Sequence, residues 1–275
     1  MGVLYILRKV FFLNWMARRL LISLFLLLSI NACQTTTSRP PGVSAIQATW
    51  LYGKVAADKR ISKKGSFYNY SSYPPDGDPW LPILEGRLKP GAAAPAVIWL
   101  HGCSGFTSHT NYAIKTFQRS GYTVFAPNSL ARPRGALCDT GRMRYRIGLR
   151  HEEVKYALSQ IRTFSWVDQN HLVLAGHSEG GNSTAAWAGP EFKAHVLVGT
   201  NCDKNGGSPS APDGVRVLNL VGARDHYGRG NGCSLSKSQR SNGSKVISYP
   251  KLGHSILGQP EVQNDLKAFL KTLNP

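Results

Sequence analysis

From about residue 92 onward the chain alternates short aliphatic or β-branched runs with stretches whose apolar positions recur every three or four residues. That alternation predicts parallel strands joined by crossover helices. The predicted strands are 96–100, 122–126, 171–175, 194–198, 215–221 and 245–249. Val154, Leu158 and Ile161 mark one helix, and Val262, Leu266, Phe269, Leu270 and Leu273, behind Pro260, mark another; both stripes read as core contacts. Upstream, 65–73 and 84–88 read as two strands parted by the turn Pro74-Pro75-Asp76-Gly77-Asp78, forming an antiparallel edge. Residues 43–64 give only a weak helical pattern around 45–55. The predicted class is α/β, a mostly parallel, doubly wound sheet with an antiparallel N-terminal edge.

The N-terminus has a different pattern. Residues 20–30 form an apolar run, preceded by Arg18 and Arg19 and followed by Asn31, Ala32 and Cys33. It is too short to cross a bilayer comfortably and matches the apolar core of a secretory signal. Ile30-Asn31-Ala32-Cys33 resembles the bacterial lipoprotein signal box, although Asn31 is larger than the residue usual there. The resemblance implies a signal peptide over 1–32, a compact one if translation starts at Met16, with lipid attached to Cys33. Residues 33–42 then form a flexible tether, and 43–275 the folded domain. An uncleaved signal anchor in the inner membrane is the rival. Gln34 gives no sign of inner-membrane retention, so the implied address is the outer membrane of a bacterium, facing the periplasm; secretion is an alternative.

Composition narrows the class further. With 275 residues, 42% hydrophobic and only 17% charged, the chain can bury one sizeable core, which excludes intrinsic disorder. Its formal charge is +18, and because residues 1–32 hold Arg8, Lys9, Arg18, Arg19 and no acid, a chain cut before Cys33 keeps +14. Such an excess favours an anionic envelope surface or an acidic polymeric substrate. It comes with no zinc-finger spacing, RNA-binding aromatic signature or dense Lys/Arg run, so nucleic acid is not an expected partner.

Chemistry is concentrated at 172–182, where the buried-strand pattern Leu172-Val173-Leu174-Ala175 runs straight into Gly176-His177-Ser178-Glu179-Gly180 and a helix. In this G-x-S-x-G context the serine stands on a sharp strand-to-helix turn, for which Gly176 and Gly180 leave room. Ser178 is the candidate nucleophile. A serine hydroxyl needs a base, and the base needs an acid to orient it. Asp225 lies just past the strand 215–221 and His254 just past 245–249, giving the order Ser, Asp, His at three C-terminal strand ends. Asp203, after 194–198, is the alternative acid. His177, as the variable residue of the turn, and His101, in His101-Gly102-Cys103-Ser104-Gly105 after the first strand, are poorer bases. His101 reads as a brace for its loop.

That loop, the stretch from Asn128-Ser129 to Arg134-Gly135-Ala136-Leu137-Cys138, the G-x-S-x-G turn, and the late Asp and His together resemble the α/β-hydrolase superfamily over residues 84–275. Within it they resemble the dienelactone hydrolase-like branch. The resemblance implies a serine hydrolase of carboxylic esters or related acyl bonds, working through an acyl-enzyme with no metal or organic cofactor. It also implies an oxyanion hole made by the backbone N–H groups of Glu179 and Cys103. Dienelactone hydrolases proper use a cysteine nucleophile, so with Ser178 that enzyme's own substrate is not implied.

With Cys33 assigned to lipid, Cys103, Cys138, Cys202 and Cys233 remain, and an even count in an oxidising compartment reads as disulfides. Three pairings are open. Those closest in sequence, Cys103 with Cys138 and Cys202 with Cys233, would join neighbouring loops, and the family resemblance also implies the first. No C-x-x-C or comparable histidine spacing favours a metal site. The sequence thus reads as an exported, lipid-anchored serine esterase for a small-molecule or polymeric ester, with Phe106, Tyr112, Trp187 and Tyr227 as candidate pocket walls. The rivals are a serine peptidase of the same fold and a catalytically inactive, basic cell-envelope binding protein.

Overall fold

Eight strands form one sheet in the computed structural model, which describes residues 42–69, 80–132, 143–203 and 206–273. The expected signal, Met16, the lipidation site Cys33, most of the tether and Cys138 lie outside the described residues. In chain order the elements are α1 (Ala45–Leu51), β1 (Lys54–Ala57), β2 (Phe67–Asn69), α2 (Trp80–Glu85), β3 (Ala94–Leu100), α3 (Ser108–Arg119), β4 (Thr123–Ala126) and α4 (Met143–Ile161). Then come β5 (Val167–His177), α5 (Glu179–Ala185), β6 (Ala194–Val198), β7 (Arg216–Gly222), α6 (Lys237–Ser241), β8 (Lys245–Tyr249) and α7 (Pro260–Lys271).

The strand order is β2-β1-β4-β3-β5-β6-β7-β8. β1 runs antiparallel to both β2 and β4, and all other neighbours are parallel. The antiparallel N-terminal edge is therefore present, but its strands are not all the expected ones. Residues 84–88 are no strand: α2 ends at Glu85, and Leu88 makes a single antiparallel bridge to Ser62. The reason lies in the spacing. Leu84 and Leu88 are four apart, which keeps them on one face of a strand and equally on one face of a helix, and Leu81 at minus three fits only the helix. All three pack into the same core cluster. The strand that pairs with β2 in that antiparallel region is instead β1, Lys54-Val55-Ala56-Ala57, whose mostly small residues give little strand signal.

Alternate residues of the central strands go to opposite faces, as the pleat requires. Val97 and Trp99 of β3, with Val173 and Ala175 of β5, pack under Ala113, Ile114 and Phe117 of α3 and the Val262–Leu266–Phe269 stripe of α7. Ala96, Ile98 and Leu100, with Leu172 and Leu174, pack against Trp50 of α1 and the Val154–Leu158–Ile161 stripe of α4. In β6, His195 is fully buried, and that burial pushes its imidazole down to about 3. Among the described residues no helix is long and apolar enough to cross a membrane.

The connections create one switch in winding direction. From β3 the chain passes through α3 to β4 on one side, and then through α4 to β5 on the other side of β3. A crevice therefore opens at the C-terminal ends of β3 and β5, the place where open α/β sheets gather ligands.

A third, smaller apolar cluster holds Cys202 and Cys233, which are joined in a disulfide with a Cα–Cα distance of 5.1 Å. The bond ties the loop after β6 to the loop after β7. Cys103 is also disulfide-bonded. A disulfide stabilises chiefly by restricting the unfolded chain. Replacing both Cys202 and Cys233 with Ala is expected to lower the unfolding free energy by about 2–4 kcal/mol, read from the midpoint of urea unfolding under oxidising conditions.

Candidate functional site

Ser178 occupies the single residue between β5 and α5, with φ 55° and ψ −112°, a backbone region that favours glycine. The turn is held from both sides: Ser178 N–H donates to the Val198 carbonyl at 2.9 Å, and the Ser178 carbonyl accepts the Asn182 N–H at 2.9 Å. Its two flanking glycines are fixed by contact. A Cβ at Gly176 would meet the Gly180 backbone at 2.4 Å, and a Cβ at Gly180 would meet the Leu100 carbonyl oxygen at 2.1 Å. Thus the start of α5 sits directly on the C-terminal end of β3.

His254 and Asp225 converge from the loops after β8 and β7, the imidazole Nδ1 lying 2.7 Å from Asp225 Oδ2. Because a carboxylate only accepts, Nδ1–H is the donor, which leaves Nε2 as the ring's basic nitrogen. Asp225 Oδ1 accepts the Tyr227 N–H at 2.8 Å, so both carboxylate oxygens are engaged. Burial lowers the His254 pKa below its ordinary value, and the hydrogen bond and charge of Asp225 oppose that fall. The alternative acid does not reach this histidine: Asp203 is exposed and accepts from Asn201 Nδ2 at 2.7 Å.

Gly199, at φ 61°, lets the ring in. A Cβ there would come within 3.2 Å of His254 Cε1 and 3.3 Å of His177 Nε2. His177 itself lies between the rings of His109 and His254, with centroids 5.2 and 4.9 Å away. Burial first, then the neighbouring imidazoles, push it down to about 3. It is a neutral wall of the site.

Ser178, His254, Glu179 and Cys103 line one cleft of about 300 Å³. Gly102 brings the β3 loop against the turn, since a Cβ on it would lie 3.5 Å from Ser178 Cβ. His101 braces this loop from inside. Fully buried, its Nδ1–H donates to the Gly102 carbonyl at 2.6 Å and its Nε2 accepts the Ser129 N–H at 3.1 Å, which fixes the neutral tautomer. Burial, with the adjacent Arg150 charge, holds its pKa well below the ordinary value. Of the aromatic residues expected on the pocket wall, Tyr227 lines this cleft, whereas Trp187 is buried in the core against Phe192 and His151. Phe106 packs on His101, and Tyr112 is exposed.

Beneath the turn lies a charge network the sequence reading missed. Glu179, 2% exposed, meets Arg146 Nε at 3.0 Å and Arg150 Nη2 at 3.1 Å. Arg150 continues to Glu153 at 3.4 Å, Glu153 meets Arg132 Nε at 3.1 Å, and Arg150 Nη2 also donates to the His101 carbonyl at 3.0 Å. The signal was present: 146, 150 and 153 fall at i, i+4 and i+7 on one face of α4. This network joins the first residue of α5 to the loop after β3. Arg146 and Arg229 also reach the cleft wall, and neither was singled out in the sequence.

A larger cavity of about 650 Å³, lined by Arg60, Arg119, Asp168, His171 and Lys267, lies by the start of β5 and the ends of α3 and α7. It holds none of the strand-end chemistry. Among the described residues no group of His, Cys, Asp and Glu is placed to hold a metal ion.

Among solved structures the chain is similar to esterase PE8, with a TM-score of 0.50 and 18% identity, over 66% of this chain and 94% of that one. It is also similar to a putative dienelactone hydrolase from Klebsiella pneumoniae (TM-score 0.44, 19% identity, 66% and 88% covered). A third is Est1E from Butyrivibrio proteoclasticus with ferulic acid bound (TM-score 0.47, 17% identity, 66% and 90% covered). No protein-family model and no curated protein matches the chain. The sheet order and the likeness to esterase PE8 establish an α/β-hydrolase fold.

Three histidines, His101, His177 and His195, are buried as neutral rings with values below the ordinary 6.5. The unfolded chain therefore binds more protons than the native one as the medium acidifies. Their contribution is complete above about pH 6.5 and is lost progressively below it, at up to about 1.4 kcal/mol per pH unit for each ring. Thermal midpoints are expected to fall steadily between pH 6.5 and 4.5, and His195→Phe, which removes one of the three, should flatten that slope.

Proposed function

On this α/β-hydrolase fold, we propose that the protein is a serine hydrolase of carboxylic esters, with Ser178 as nucleophile, His254 as base and Asp225 as the acid that orients it. The observation that carries the reading is the strained Ser178 turn opening onto the same cleft as the His254–Asp225 pair, whose hydrogen bond of 2.7 Å leaves Nε2 free to accept a proton.

In the proposed reaction, Ser178 Oγ attacks the ester carbonyl carbon while its proton passes to His254 Nε2. The backbone N–H groups of Glu179 and Cys103 take the developing oxyanion, each donor being worth about 2.7–4 kcal/mol in comparable sites. The imidazolium then protonates the departing alkoxide. Water, deprotonated by the same nitrogen, cleaves the acyl-enzyme to release the acid and restore Ser178. A peptidase reading has less support, because the acid nearest the nucleophile, Glu179, is buried and paired with two arginines, leaving it poorly suited to bind a substrate amine.

We further propose export and lipid attachment at Cys33, supported by the lipobox-like residues and by the Cys202–Cys233 disulfide, since disulfides persist in oxidising compartments. Metabolic labelling with a radiolabelled fatty acid should mark the wild-type protein and miss Cys33→Ala; equal labelling of both would remove the anchor from the proposal.

The catalytic assignment is checked with a chromogenic ester. Ser178→Ala is expected to abolish turnover, Asp225→Asn to lower kcat by roughly 10³–10⁴-fold, and Asp203→Asn to leave it near wild type. As His254 must be neutral to accept the proton and its pKa is lowered, the acid limb of kcat/KM should lie below pH 6.5. Full activity in Ser178→Ala would sink the reading.

A further inference from the structure

One cation in the cleft has no part in the Ser, Asp, His assignment. Arg229 comes from the loop after Asp225 and donates through Nη1 to Ser178 Oγ at 3.1 Å and to the Gly199 carbonyl at 3.1 Å. The two hydrogens of that nitrogen thus serve one acceptor each. The guanidinium carbon also lies 5.4 Å from the centroid of the Tyr227 ring.

The loop that presents Arg229 is fixed at several points. Gly228 N–H donates to the Asp225 carbonyl at 3.0 Å, while the Gly228 carbonyl accepts from Asn201 Nδ2 at 3.2 Å. Gly230 packs so closely that a Cβ would meet the Ala223 carbonyl oxygen at 2.6 Å. Cys233 closes the loop through its disulfide to Cys202 and through its N–H, which donates to Asn219 Oδ1 at 2.8 Å. Asn219, fully buried in β7, in turn donates to the Leu197 and Thr200 carbonyls. Arg229 is therefore delivered to the nucleophile by a loop tied to the sheet on both sides.

We propose that Arg229 is a further catalytic residue, whose Nη1–H stabilises negative charge on Ser178 Oγ while the serine proton passes to His254. The inference rests on the serine-hydrolase reading. The guanidinium neither gives nor takes a proton. The Oγ–H bond breaks, its proton goes to His254 Nε2, and the oxygen's electron pair forms the bond to the acyl carbon. Between those events Oγ carries charge, and a charge-assisted hydrogen bond is then about twice as strong as the neutral one it replaces. Once the acyl bond has formed, the charge moves to the carbonyl oxygen and the contact loses that advantage. The effect therefore belongs to the rate of serine attack and not to substrate binding.

The test uses the full-length protein in detergent with a small, neutral fluorophosphonate, whose rate of reaction reports the nucleophilicity of Ser178 without an ester-binding step. Arg229→Met is expected to slow that reaction and lower kcat for a neutral aryl ester, both on the order of 100-fold, with KM little changed; Arg229→Lys should recover part of the loss. If Arg229→Met fails to fold, Arg229→Gln, which keeps a donor without the charge, carries the same expectation in smaller measure. Wild-type reaction rates in the folded uncharged variant would overturn the proposal. So would a defect confined to KM for carboxylate-bearing esters, which would make Arg229 a substrate contact. A wild-type protein that never reacts with the probe would instead sink the serine-hydrolase reading, and this inference with it.

Discussion

No side chain fits between the first turn of α5 and the C-terminal end of β3. Gly180 lies so close to Leu100 that a Cβ would meet its carbonyl oxygen at 2.1 Å, and the same contact sets where the turn before it can run. The site's geometry follows from that approach. The approach leaves Ser178 in a left-handed backbone conformation, aims the N-terminus of α5 at the cleft, and brings the His101–Gly105 loop beside the serine. It occurs at β3 and β5 because they are the pair between which the winding of the sheet changes direction. A topological fact and a steric one coincide at the same two strands.

The charge network under the turn has to be read in that setting. Glu179 and Glu153 are almost wholly buried, and each is held by two arginines. Such a network is weak evidence for net stability, since removing charges from water offsets much of their attraction, but breaking it by deleting one member typically costs about 3–5 kcal/mol. Its value is positional. Arg150 donates through the one nitrogen, Nη2, to both the Glu179 carboxylate and the His101 carbonyl, so α4 ties the start of α5 to the loop after β3.

Much of this architecture was legible in the sequence where a short-range pattern had a local cause. Strands β3 to β8 announce themselves through aliphatic runs, and the Ser178 turn through two glycines at the spacing its packing demands. The N-terminal edge was harder, because Leu84 and Leu88 satisfy two periodicities at once and the strand β1 is built from Val and Ala. The cleft's arginines were harder still. Arg229 lies 51 positions from the serine it touches, and nothing local marks it out among the chain's 33 basic residues. His254, at a longer separation, stands out only because the order Ser, Asp, His at successive strand ends is itself a pattern.

The backbone of Ser178 carries one more consequence. A non-glycine residue at φ 55° and ψ −112° holds strain of about 1–3 kcal/mol, which the surrounding packing must absorb. Glycine would relieve it, so a protein selected only for resistance to unfolding would have discarded this side chain. On the proposed serine-hydrolase reading this is a trade-off between activity and stability: the fold gives up part of its margin at the position that presents the proposed nucleophile's hydroxyl.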